Sequence, residues 1–178
     1  MELFLSKIQI ILSFVIFLSL PIFSQTLKND FDWKSFHFLL GEWTGEGSGV
    51  PGQGIGSFTF EFDLQKKIIV RKGSTSFSST KDSKTYVHDD LTIIYKKSDG
   101  TVDAIYFDNE SHIISYNLYL SDDRNEVTFL SNYAPNSPRY RITYSKINNQ
   151  KLKVKFEMAS ASNPDAFSVY YSGTVHRK

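Results

Sequence analysis

Residues 38–49 read FLLGEWTGEGSG: an apolar run, then a tryptophan between two acidic residues, with four glycines in the nine positions from Gly41 to Gly49. Glycine inside a strand gives up side-chain packing and marks a tight bend or a close approach of another backbone. A tryptophan set among such glycines reads as the plug of a barrel end, with Gly41, Gly45 and Gly47 letting the first strand curve around Trp43. Replacing Trp43 should then cost what a core aromatic costs, rather than a surface contact.

The rest of the chain carries the pattern that such a barrel needs. SFTFEFDL at 57–64 alternates Phe58, Phe60, Phe62 and Leu64 with polar partners, and KLKVKFEM at 151–158 alternates Leu152, Val154, Phe156 and Met158 with Lys151, Lys153, Lys155 and Glu157. A period of two puts each apolar set on one face of a strand. RYRITYSK (139–146) and FSVYYSGTV (167–175) alternate in the same way, and β-branched and aromatic residues mark further strands at 67–76, 89–96, 101–107, 112–121 and 125–131. Short polar turns such as Ser98-Asp99-Gly100 and Asn148-Asn149-Gln150 separate them, so consecutive strands pair as antiparallel hairpins. With 41–48 this makes about ten strands, and a meander of that length closes to remove its edges. The predicted fold is all-β, a single antiparallel up-and-down barrel. One short N-terminal helix or turn is expected through WKSFHFLLG, capped by Asp30 or Asp32 and ended by Gly41.

The N-terminal segment stands apart from this pattern. Behind Lys7, Ile8 to Phe23 is almost uninterruptedly apolar, with Pro21 near its end and the small residue Ser24 after it. These are the marks of an export signal cleaved after Ser24, leaving one barrel domain at 25–178 in the periplasm or the medium. An uncleaved anchor is the second reading, because the stretch is just under the roughly 17–25 apolar residues of a bilayer-spanning helix. The 178 residues carry 20 basic and 19 acidic side chains, a balance that gives no electrostatic reason to seek nucleic acid. Cysteine is absent, which excludes disulfides, thiolate chemistry and cysteine-ligated metal centres.

Four histidines, His37, His88, His112 and His176, lack the spacing of a metal site, and none is predicted. His88, followed by Asp89 and Asp90, reads as the solvated start of a strand. In YFDNESHIISY (106–116), a turn bearing Asp108, Glu110 and His112 joins two aromatic-rich strands. Folded over a barrel mouth, that turn would set a carboxylate and an imidazole beside a cavity, the components of acid–base chemistry; as an ordinary polar hairpin turn, the simpler reading, it would not. Arg71 interrupts IIVRKGS, where both phases offer an apolar neighbour, so alternation does not fix its side. Pointing inward, it would orient a ligand carboxylate while the wall around it takes an apolar tail. Arg139 and Arg141 are out of phase with Tyr140, Ile142 and Tyr144 and belong on the outer wall, as do Lys151, Lys153 and Lys155. The candidate ligand contacts are therefore Arg71, Tyr106, His112, Tyr116 and Tyr171.

The short N-terminal helix leading into Gly41-Glu42-Trp43-Thr44-Gly45-Glu46-Gly47, the ten-strand meander, and the close MASASNPDAFSVYYSGTVHRK resemble the calycin-like barrels, which include lipocalins, nitrobindin and the fatty-acid-binding proteins. Exported bacterial members of that group are the most similar. The resemblance implies a barrel whose lumen holds a small, largely apolar or amphipathic molecule. Within that group, similarity to nitrobindin implies haem held by a last-strand histidine shortly before the closing Thr-Leu-x-Arg. Aligned on Thr174-Val175-His176-Arg177, that position falls on Val169 or Tyr170, neither a histidine, so no cofactor is expected. Either Tyr170 or the alternating set of Phe167, Val169 and Tyr171 faces the lumen. The alternatives to a binding protein are a haem-dependent or acid–base enzyme on the same barrel and a ligand-free envelope interaction protein.

Overall fold

A computed structural model describes residues 32–45, 55–78 and 85–178. The segment expected to be an export signal and Gly47 lie outside the described residues. Ten strands form one closed antiparallel barrel: β1 (Gly41–Gly45), β2 (Ile55–Asp63), β3 (Ile68–Ser78), β4 (Thr85–Lys96), β5 (Val102–Asp108), β6 (Ile113–Leu120), β7 (Glu126–Ser131), β8 (Arg139–Asn148), β9 (Lys151–Ala159) and β10 (Ser168–Arg177). Each strand pairs with the next, and β1 closes the ring by pairing with both β2 and β10. This is the meander that the alternation and the polar turns require.

The helical element before β1 is a single 3-10 turn, Trp33–Phe36. Of the two proposed caps, Asp30 lies outside the described residues and Asp32 caps the turn, its Oδ1 accepting from Lys34 N–H at 3.0 Å. Trp33 and Phe36 of this turn, and Leu39 after it, are buried, so the segment brings three large side chains into the core of the β1 end of the barrel. Trp43 is fully buried among them, and its indole N–H donates to Leu39 O at 2.7 Å. Phe60, Ile69, Ile94, Val127 and Leu152 complete a solid core at this end.

Arg177 of β10 seals it. The guanidinium carbon lies 4.3 Å from the Trp43 ring centroid, and the guanidinium donates to Leu40 O and, at 3.0 Å, to Asn149 O. A cation over the indole face is attracted by the ring quadrupole, and here it also satisfies carbonyls that no strand partner reaches. Gly41 makes the approach possible: its φ is +117°, and a Cβ there would overlap the Arg177 guanidinium. Gly45 needs no such exemption, since a Cβ would meet only Gly56 O at 3.6 Å. The freedom expected at both glycines is thus required at Gly41.

Leu64 departs from the expected phase. Instead of extending the inward row of β2 it is 64% exposed, in a turn where Leu64, Gln65 and Lys66 have φ of 46°, 56° and 64°. Three successive non-glycine residues in the left-handed region cost energy, and the turn is held by Lys67 N–H donating to Asp63 O at 3.1 Å and by Trp33 Nε1–H donating to Lys66 O at 2.9 Å. On the outer wall, Arg141 grips Glu157 at 2.7 and 2.8 Å and lies 4.3 Å from the Phe167 ring centroid, while Arg139 pairs with Asp165. Both arginines therefore face outward, as their phase predicts.

Candidate functional site

With one barrel end filled, the inward residues of the other half enclose a cavity of about 650 Å³. Its position follows from strand direction. The Trp43 end carries the β2–β3, β4–β5 and β8–β9 turns, and the cavity opens at the opposite end, where the β5–β6 turn lies. Its deep wall is apolar and aromatic: Phe129, Ile142, Tyr144 and Phe156, with Phe129 and Tyr144 packed edge to face at 5.7 Å between ring centroids. Its rim is polar.

Arg71 faces this cavity. Neither Ile69 nor Val70 could fix its phase, but cross-strand register does: Phe60 of the securely alternating β2 stands opposite Arg71, which stands opposite the buried Thr92. The guanidinium stacks over Phe58 at 4.7 Å and forms an ion pair with Asp90 one register step further toward the mouth. Gly73 leaves room for the pair, since any Cβ there would overlap the Asp90 carboxylate and crowd Arg71 Nη1 at 2.8 Å. Burial alone would lower the Arg71 pKa; Tyr144 and Asp90 beside it outweigh that and raise it. Arg71 Nε is buried without a hydrogen-bond partner. The sequence reading offered Arg71 as a free cation for a ligand carboxylate; Asp90 already occupies that role.

The β5–β6 turn stands at the mouth: it is a polar, solvent-exposed turn at residues 109–112, and Asp108, Glu110 and His112 also line the cavity. Asp108 Oδ1 accepts the backbone N–H of Glu110 at 3.0 Å and of His112 at 2.9 Å, which closes the turn, while Oδ2 lies 2.8 Å from His112 Nδ1. His88 bridges the two sides, with Nδ1 at 3.1 Å from Glu110 Oε1 and Nε2 at 2.9 Å from Tyr106 Oη. Tyr106 donates to Asp108 Oδ2 at 3.1 Å, and Tyr86 donates to Glu110 Oε1. The result is one chain of contacts, Tyr86–Glu110–His88–Tyr106–Asp108–His112, along the rim. Because a carboxylate only accepts, the His112 ring nitrogen facing Asp108 carries hydrogen. His112 Nε2 is then left to face solvent and cavity.

The chain sets protonation. Burial acts to raise the Asp108 pKa, but hydrogen bonds from the His112 backbone and ring, from Glu110 N–H and from Tyr106 hold it below the usual carboxylate range. Hydrogen bonds from Tyr86 and His88 do the same for Glu110. Burial, followed by the charges of Asp90 and Asp108, pushes the Tyr106 phenol well up, and burial with Tyr144 and Tyr140 nearby does so for Tyr116. Both phenols are neutral hydrogen-bonding groups near neutral pH.

Of the five candidate contacts, Arg71, Tyr106, His112 and Tyr116 line this one cavity and Tyr171 does not. A register shift in β10 between Val169 and Tyr171 is the reason. The bulge turns Tyr170 to the cavity, edge to face with Phe156 at 5.6 Å, and lays the Tyr171 ring over Gly173. His88, Asp90, Tyr86, Asp108 and Glu110 are wall residues that sequence reasoning did not select. A signal existed for the β4 members: Tyr86, His88, Asp90, Thr92 and Ile94 alternate along TYVHDDLTII, in phase with the core. Among the described residues no group of three or more histidines and carboxylates is placed to hold a metal ion. No protein-family model matches the chain, and no curated protein matches it either.

Proposed function

We propose that this protein is an exported, calycin-like binding barrel whose open cavity holds a small, largely apolar molecule by its body and one polar group of that molecule at the rim. The observation that carries the reading is the division of the cavity wall: aromatic and aliphatic side chains in depth, and a hydrogen-bonded polar chain from Tyr86 to His112 at the opening. Concave sites that are mostly apolar with a few placed polar groups are the form that small-molecule recognition takes. The residues fit haem poorly. Val169 is 58% exposed, His88 has both ring nitrogens engaged, and haem propionates would meet the Glu110 and Asp108 carboxylates at the rim.

The test is native mass spectrometry of the protein isolated from the compartment to which it is exported. A mass above that of the chain from Gln25 onward, by one dissociable small molecule, supports the reading. Retention of residues 1–24 would count against export with cleavage, and a bare chain that takes up no apolar probe would count against the binding role.

A second reading rests on the Asp108–His112 contact, an oriented imidazole whose Nε2 is open to the cavity. That arrangement is what a general base needs. It predicts that His112→Gln abolishes solvent exchange of an acidic C–H in a bound ketone without weakening its binding.

A further inference from the structure

The charges of the cavity wall disagree with an acidic ligand. Among its lining residues Arg71 stands as the single arginine or lysine against three carboxylates, Asp90, Asp108 and Glu110. Asp90 cancels Arg71, and their side chains are only 8% and 16% exposed, so that pair presents little charge to an incoming molecule. The remaining two carboxylates flank the opening. Asp108 is saturated by four hydrogen bonds and almost fully buried, whereas Glu110 is 43% exposed, its Oε1 taken by Tyr86 and His88 and its Oε2 3.9 Å from His112 Nδ1 with no hydrogen bond of its own.

Around this negative opening stand the rings of Phe77, Tyr86, Tyr106, Tyr140 and Tyr170. Aromatic faces carry negative quadrupole potential and attract cations, most strongly where water is displaced. A carboxylate ligand would meet Asp108 and Glu110 at the rim, while the Arg71 guanidinium is already paired with Asp90. Resting on the reading of this cavity as a binding site, we propose that its occupant is a small organic ammonium ion: the apolar body lies among the deep rings, and the nitrogen sits at the rim, donating to Glu110 and facing the tyrosine rings.

The experiment compares three probes of one shape on the refolded mature chain, followed by amide NMR titration: phenethylamine, phenethyl alcohol and hydrocinnamate. The proposal expects saturable shifts at rim and cavity residues with all apolar-bodied probes that bind, and affinity for the amine about tenfold or more above the acid. The amine's advantage over the alcohol shrinks with added salt and falls to about twofold or less in Glu110→Gln. Equal affinity for amine and alcohol, or tighter binding of hydrocinnamate, overturns the ammonium assignment while leaving the binding barrel standing. Failure of all three probes and of the neutral dye Nile red to saturate the protein overturns the binding reading itself.

Discussion

Arg71 and Asp90 form an ion pair across β3 and β4 directly over Gly73, inside the barrel rather than on its wet face. Removing one partner of such a buried pair strands the other charge, which typically costs about 3–5 kcal/mol, while replacing both by apolar groups is far milder. Asp90→Asn and Arg71→Met are therefore each expected to destabilise strongly, with the double variant more stable than the sum of the two predicts. Urea unfolding of the four proteins measures this. Additive losses would show that the pair is not coupled.

Gly73→Ala tests the same relationship from the backbone side. The added Cβ overlaps the Asp90 carboxylate, so the pair must open. A loss of about 1–3 kcal/mol is expected, in the range for overpacking a tight interior, and it should largely disappear when Asp90 is also replaced by Ala.

At the filled end, Trp43→Ala should cost about 3–5 kcal/mol, as large aromatic truncations in cores do. Arg177→Met should cost less, because the methionine stem can still cover the indole that Arg177 covers at 4.3 Å. A Trp43→Ala protein with the parent's thermal stability would remove the barrel-plug reading.

The pH dependence has a sign at each extreme. Asp108 and Glu110 have folded pKa values below their ordinary ones, and Asp123, held by Ser121 and Asn125, is lowered from 3.8 to about 2. Depressed carboxylates stabilise above their unfolded pKa, and that contribution is lost as pH falls through the folded value, so stability should decline below about pH 4. Tyrosines behave oppositely. Tyr86 is raised from 10.0 to about 12 by its bond to Glu110, and burial raises Tyr106, Tyr116 and Tyr144. Their contribution is complete below the ordinary tyrosine value and is lost on raising the pH through the folded values. An ultraviolet titration should show a class of phenols that ionises only as the barrel unfolds, and Tyr116→Phe should reduce that class. A single unperturbed tyrosine step would contradict the buried placement.

Much of the barrel was legible because its determinants are local. Alternation in β2 and β9 and the polar turns between strands specify pairing without knowledge of distant contacts. Trp43 was recognisable because glycine around an aromatic has few other uses. The cavity was less legible for a physical reason: the side chosen by Arg71 depends on its register against Phe60, a cross-strand relation that its own neighbours do not carry. Tyr170 reached the cavity through a bulge, which breaks the period that placed Tyr171 there instead. His88 looked solvated beside two aspartates, yet alternation sends Asp90 inward with it and Asp89 outward to an exposed position.

The most direct measurement is a Nile red fluorescence titration of the parent barrel against Ile142→Trp, a variant that fills the deep wall of the cavity without touching the rim. Blue-shifted, saturable, one-site binding in the parent and its loss in the variant, with the two proteins unfolding at similar temperatures, is the predicted result. Undiminished binding in a folded Ile142→Trp protein would contradict a ligand site inside the barrel.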